Sequence, residues 1–185
     1  MNATELLADW LNDISRGIHR AIEKMPPEQL AWQPDAEANS IGVTVWHIAR
    51  WLDILAVQAI NGKRAEEEQW FTRGWAKKTT YDPRGIGLNG LGAVTGYSLD
   101  DVKAIPHLSA EELLVYLDQV SELLHSRLLK LTDDDFARPL PSLGGTRVRT
   151  LYEWMKGIMQ GGLAHLGEIV ALKLIYDRAH KKEST

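Results

Sequence analysis

Residues 40–61, SIGVTVWHIARWLDILAVQAIN, decide the fold class. At 3.6 residues per turn, apolar side chains cover more than half of the circumference of this segment. Such a wide apolar surface predicts the most buried helix of the protein. Asn39 or Ser40 is expected to cap its first turn, and Asn61-Gly62 is expected to end it.

Three further segments show the same helical period. They span about 4–24, 109–131 and 150–176, and Ser109 with Glu112 has capping-box spacing at the start of the second of these. No segment alternates like a β-strand. The sequence therefore predicts an all-α fold, and the similar helix lengths favour an up-down four-helix bundle with a long connection between helices two and three.

Polar and aromatic residues on the helices have predicted places. Arg50 and Asp53 are expected on the narrow solvent-facing strip of helix two, because they lie three residues apart. Trp10, Trp51 and Trp154 are expected in the core, because aromatic residues at helical spacing are usually buried.

The chain is predicted to be a single domain, 1–185, whose long connection spans residues 65–108 and includes short helices. The aromatic segment 66–75, EEEQWFTRGW, is expected to cover the bundle. The segment 84–96 contains a G-x-G-x-x-G pattern without a preceding strand, so we expect a loop packed against the bundle rather than a nucleotide site. Residues 178–185 form a basic tail.

Composition excludes several classes of function. The 185 residues contain no cysteine, so a disulfide scaffold, a cysteine-ligated zinc or iron–sulfur site and a cysteine nucleophile are excluded. The formal charge of −4 argues against a nucleic-acid partner. No secretory signal and no run of 18 apolar residues is present, so we expect a cytoplasmic protein without a membrane partner.

Two histidines lie on apolar helix surfaces. His47 is on the apolar side of helix two, and His165 replaces an apolar residue in helix four. Each ring must find a hydrogen-bond partner or a metal, because an unpaired buried polar group is costly. Spacing alone favours two histidines bonded to a carbonyl or a water over a metal site. Gly161 and Gly162, one turn earlier, indicate either a close helix crossing or a cavity.

Several motifs together resemble one known family. They are the approach 32–35 (WQPD), the entry into helix two, 39–49 (NSIGVTVWHIA), and the helix-four segment 162–169 (GLAHLGEI). In order and spacing they resemble the DinB-like superfamily, whose members include DinB proteins, bacillithiol transferases and mycothiol-dependent maleylpyruvate isomerases.

The resemblance implies a four-helix bundle that forms a homodimer. It also implies a divalent metal, Zn or Ni, held by three histidines: one on helix two and an H-x-x-x-H pair on helix four. His47 and His165 match two of these metal ligands, and the position of the third is occupied by Gly161. Histidines four residues apart share a helix face and can hold one ion together, so this chain departs from the pattern at a ligand.

The resemblance implies three functions for a protein that acts on a small molecule. One is a metal-dependent enzyme of the thiol S-transferase or isomerase kind, in which the ion activates a low-molecular-weight thiol or water. The second is a non-catalytic dimeric bundle that binds a small molecule or a partner and has a degenerate metal site. The third is a metal-assisted hydrolase. Because the chain has no cysteine, any thiol must be a separate molecule.

Overall fold

A computed structural model describes residues 3–140, 143 and 148–181. The end of the predicted basic tail, 182–185, lies outside the described residues, and the part before it continues the last helix. In chain order the helices and strands are α1 (Ala3–Ile22), α2 (Pro27–Ala31), α3 (Ile41–Ile54, continued by the π-helical Leu55–Ile60), α4 (Gln69–Thr72), α5 (Trp75–Thr79), α6 (Leu99–Lys103), α7 (Ala110–Leu128), α8 (Asp133–Phe136), β1 (Pro139–Leu140), β2 (Arg149–Thr150) and α9 (Leu151–Lys181).

The four long helices α1, α3, α7 and α9 form the predicted all-α bundle, and α1 and α3 each pack against α7 and α9. The predicted caps form: Ser40 accepts a hydrogen bond from the Val43 N–H, and Ser109 accepts one from the Glu112 N–H. The side chains at these two caps satisfy N–H groups that a helix start leaves without partners.

Contacts between α1 and its neighbours fix two helix directions. Ile14 and Gly17 of α1 face Gly162 and Leu166 of α9 in the same order, so α1 and α9 run in the same direction. The contacts with α7 run in the reverse order, because the Ser15 hydroxyl meets Ser121 and His19 meets Asp118. Helix α7 is therefore antiparallel to both α1 and α9.

Helix α3 runs against α9, because His47 faces His165 while Trp51, further along α3, faces Trp154, earlier in α9. The directions are therefore up, down, down and up, which corrects the strict up-down alternation predicted from helix length. The physical reason is the connection 61–109, which is long enough to carry the chain back along the bundle before α7 begins.

The core contains most of the predicted apolar positions, with one error among the tryptophans. Trp154 is buried and Trp51 is half-buried, whereas Trp10 is 38% exposed beside the start of α9. The aromatic segment 66–75 covers the bundle as predicted, since Trp70 and Trp75 are both buried. Helical spacing placed Trp10 beside the apolar stripe of α1. Spacing does not show at which residues other helices stop covering that stripe.

The pair β1 and β2 was not predicted. Leu140 pairs with Arg149 and Pro139 with Thr150 in an antiparallel arrangement. Two residues per strand are too few to produce a period in the sequence. The pair fixes the backbone immediately before α9 and so determines where Arg149 lies.

Arg50 and Asp53 are fully buried, which corrects their predicted place on a solvent-facing strip. The Arg50 guanidinium donates to Glu68 Oε2 at 2.7 Å and to the Gly92 carbonyl at 3.1 Å. Asp53 accepts hydrogen bonds from the backbone N–H groups of Gln69 and Trp70, each at 2.9 Å. The sequence could not show this, because the partners come from the long connection.

The charges of this buried cluster depend on one another. Burial raises the pKa of the Asp53 and Glu68 carboxyl groups, and Arg50 opposes that rise in both. Burial alone would lower the pKa of Arg50, but Tyr116, Glu68 and Asp53 together raise it above its ordinary value. The guanidinium therefore stays charged and holds both carboxyl groups inside the protein.

Replacing Arg50 by methionine should lower the free energy of unfolding by about 3–5 kcal/mol, because two buried carboxyl groups lose their cation. Urea denaturation followed by circular dichroism measures the change. The matched control is Arg16→Met, which removes an exposed pair with Asp13 and should cost less than about 1 kcal/mol. Equal, small losses for both variants would contradict the role given to Arg50.

Candidate functional site

A cleft of about 290 Å³ lies between α3, the N-terminal half of α9 and the loop that crosses them. Both predicted site residues, His47 and His165, line it, so the fold brings together two side chains that are 118 residues apart in sequence. The other lining residues are Ile48, Trp51, Leu88, Thr95, Arg149, Glu153, Trp154, Gly157, Ile158, Gly161 and Gly162.

The two imidazole rings face each other. Their centroids are 4.9 Å apart and their planes are nearly perpendicular, at 89°. His47 Nδ1 bonds to the Ala93 carbonyl oxygen, and His165 Nδ1 lies 2.7 Å from Glu168 Oε2. Because both partners are acceptors, each Nδ1 carries a proton. A ring that is neutral in this tautomer keeps the lone pair of Nε2, which can accept a hydrogen bond or bind a metal.

The environment of His47 keeps its ring neutral. Its pKa is lowered from 6.5 to about 4, mainly by burial; the hydrogen bond to Ala93 and the charge of Glu168 oppose the change, and the neighbouring His165 adds to it. At neutral pH, His47 is therefore an acceptor at Nε2.

A strained backbone residue holds the partner of His47. Val94 has a φ of +66°, which a β-branched residue rarely adopts and which costs on the order of 1–3 kcal/mol. It lies between Ala93, whose carbonyl accepts from His47, and Thr95, whose hydroxyl accepts from the Trp51 indole at 3.4 Å. The glycine-rich loop thus supports two side chains of the cleft.

Glycines give this loop its close approach to neighbouring backbone. Gly92 has a φ of +67°, and a side-chain carbon added there would overlap the backbone of Pro83. Hydrogen bonds from His47 and Arg50 hold the loop against α3, so the predicted packing against the bundle is confirmed.

Comparison with known proteins identifies the family. The model of the DinB superfamily matches residues 15–169. The chain belongs to the DinB superfamily. A solved structure described as a conserved protein from Enterococcus faecalis has the same fold, with a TM-score of 0.76 at 18% identity, and the alignment covers 94% of this chain and 96% of that one. No curated protein matches with significance.

The residues of the cleft fit only part of the metal site that the DinB resemblance implies. With metal–nitrogen bonds of about 2.0–2.1 Å, two imidazoles on one tetrahedral ion have centroids about 5 Å apart, close to the observed 4.9 Å. The third ligand is missing, and among the described residues no group of three His, Cys, Asp or Glu side chains could hold an ion. The donors present therefore fit a two-histidine site and not the three-histidine site of the family.

No nearby side chain replaces the histidine absent at Gly161. Glu168 bonds to His165 Nδ1, on the ring atom that turns away from a shared ion. Gln160 lines a different groove beside Trp10, and His125 lines a surface pocket formed with α1. A Cβ added at Gly161 would meet no heavy atom within 4 Å, so the position is open and faces the cleft.

Three of the four glycines of helix α9 serve two purposes. At Gly162 an added Cβ would lie 2.9 Å from Ile14, so this glycine permits a close helix crossing. Gly157 and Gly161 border the cleft instead, with open space where a side chain would be. Both alternatives considered for these glycines are therefore realised, at different residues.

Sequence reasoning missed several residues of the site. Ala93 and Thr95 reach it through the loop, and Trp51 and Arg149 line it together with the predicted histidines. Only Glu168, at i+3 from His165, left a signal in the sequence, since that spacing places two side chains side by side on a helix.

In metal-free protein, the His47 ring should titrate with a pKa of about 4 rather than 6.5. Because the folded pKa is the lower one, neutral His47 favours the folded state above pH 6.5, and this contribution is lost as the pH falls towards 4. The ring protons, assigned by their loss in His47→Gln, report the midpoint in NMR spectra. A midpoint near 6.5 would contradict the burial described for His47.

Proposed function

We propose that this protein binds a small organic molecule in the cleft, with His47 and His165 in contact with it. The observation that carries the proposal is the close pair of imidazoles, each held through Nδ1 and both lining an open volume. A pair that served only the core would be expected to have its acceptor atoms filled by the packing. Here the lining is mostly apolar with a few convergent polar groups, as in ligand sites generally.

Of the three functions implied by the DinB resemblance, the binding bundle with a degenerate metal site is the one we propose. The thiol S-transferase or isomerase and the hydrolase that the resemblance implies are both metal-dependent: a divalent ion held at the cleft would polarise a thiol or a water. Two histidines without a third protein ligand support only weak binding of Zn or Ni. A low-molecular-weight thiol as ligand remains compatible with the proposal.

Metal titration tests this proposal. Wild-type protein should bind Zn²⁺ or Ni²⁺ weakly, whereas Gly161→His should bind at least about tenfold more tightly, because it restores two histidines at i and i+4. The open space at Gly161 means that the variant should fold. Isothermal titration calorimetry measures both affinities, and His47→Ala or His165→Ala should abolish the gain.

Gly157→His is the matched control. It introduces the same side chain on the same helix, also into open space beside the cleft. Eight residues separate it from His165, about 12 Å along the helix axis, so the two rings cannot share an ion. Tight stoichiometric metal in the wild type, lost on mutation of either histidine, would favour the metal-dependent enzymes instead.

We also propose that the protein is a homodimer that pairs through α9. Leu163, Gly167, Val170 and Leu174 follow one another at intervals of four, three and four residues, the spacing of a helix-pairing seam. All four are exposed, so this face of α9 is in contact with solvent in the single chain. The small Gly167 would let a second helix approach closely, and a second copy presents the same complementary stripe.

Val170→Lys should weaken the dimer by at least about tenfold without unfolding the monomer, because Val170 is already 44% exposed. Val115→Lys is the control, since Val115 is 43% exposed on α7. Light scattering after gel filtration should give twice the chain mass of 20.8 kDa for wild type and control. A monomeric wild type at micromolar concentration would overturn the proposal.

Two helices of the described chain are long and apolar enough to be compared with membrane-spanning helices. By length and hydropathy alone, α3 with its extension (residues 41–60) and α9 could each cross a membrane; the first is mostly buried in the bundle, and α9 is much less so. Pairing of α9 with a second copy is the proposal that we put to the test. A cytoplasmic location and the lack of nucleic-acid and membrane partners stay predictions.

A further inference from the structure

Arg149 lies at the opposite end of the cleft from the two histidines. It belongs to β2 and comes two residues before α9, whereas His165 lies four turns along that helix. Its guanidinium carbon is 5.2 Å from the centre of the Trp154 ring, within range of a cation–π contact. The side chain is exposed, and within the described part of the chain no carboxylate forms an ion pair with it.

The cleft near Arg149 offers hydrogen-bond donors to an anionic group. Among the described lining residues, Arg149 is the only one with a fixed positive charge, and Glu153 is the only acid. The Glu153 carboxylate already accepts the Thr150 N–H at 2.9 Å as part of the cap of α9. Arg149 keeps its planar set of N–H donors, which match the geometry of a carboxylate.

An aromatic wall separates Arg149 from the histidines. The rings of Trp51 and Trp154 have centroids 5.7 Å apart and are tilted by 33°. Ile48 and Ile158 continue this wall along α3 and α9. A surface of this kind binds the apolar body of a ligand and offers little to a small polar one.

We propose that the ligand is an elongated organic acid, with its carboxylate on Arg149, its apolar body on Trp51 and Trp154, and its far end towards His47 and His165. This rests on the proposed function, because it names the ligand class of the same cleft. The three surfaces are a cation, an aromatic wall and a pair of imidazoles, and they occur in that order along the cleft. Because Arg149 is exposed, a charge pair with it should add little to the free energy of binding. Its main effect should be to distinguish charged from uncharged ligands.

Binding of 4-phenylbutyrate and of its uncharged amide tests the proposal. The two probes have the same shape and differ in charge at one end. In wild-type protein the acid should bind about fivefold more tightly than the amide, the upper range for a charge pair at an exposed site. The indole N–H signals of Trp51 and Trp154 in NMR titrations give both dissociation constants and locate the probe.

Arg149→Gln should remove the preference, so that acid and amide bind equally, and Arg149→Lys should keep part of it. Arg84→Gln is the matched control, because Arg84 is also exposed and lies over an aromatic ring, Phe71, at 4.6 Å, but does not line the cleft. That variant should retain the wild-type preference. Added salt should reduce the preference of the wild type, since charge pairs at exposed sites are screened.

The outcomes separate this inference from the proposed function. If acid and amide bind the wild type equally and shift the same tryptophan signals, the cleft binds ligands but the role of Arg149 is wrong. If the preference survives Arg149→Gln, another cation is responsible and the inference is also overturned. If neither probe shifts these signals at millimolar concentration, both the inference and the proposed binding function fail.

Discussion

The ionic contact between Arg50 and Glu68 holds the rest of the structure in place. It joins the most buried helix to the long connection, and the same guanidinium also binds the Gly92 carbonyl. Asp53, one turn further along α3, caps the short helix α4 through two backbone N–H groups. Three buried charged groups are costly to desolvate, so they are stable only as a set.

This cluster has a consequence for the site. Gly92 is directly followed by Ala93, whose carbonyl fixes the ring of His47, and by the strained Val94. The contact of Arg50 with Gly92 therefore holds the loop at the place where the Ala93 carbonyl can accept a hydrogen bond from His47. Gly92, Ala93 and Val94 thus connect the buried charges to the cleft. Because the residues before Val94 are held by Arg50 and His47, the surrounding structure can keep Val94 at a positive φ.

The departure at Gly161 shapes the cleft as well as its metal chemistry. In the DinB superfamily site implied by the sequence, a histidine at this position would project into the cleft; glycine leaves that volume open. The same change that removes a metal ligand therefore provides room for an organic molecule. The proposed binding function and the weakened metal site would both follow from one residue.

The sequence by itself determined the four long helices, the caps of two of them and the place of two histidines on apolar helix surfaces, because apolar period and capping chemistry are local properties. Ser40, Ser109 and the stripe of α7 follow from neighbours a few residues away. Only the tertiary structure decided the burial of Arg50 and Asp53, the up, down, down, up order and the place of Arg149. Each of these depends on partners far apart in the chain, and a local pattern carries no information about which distant segment will meet it.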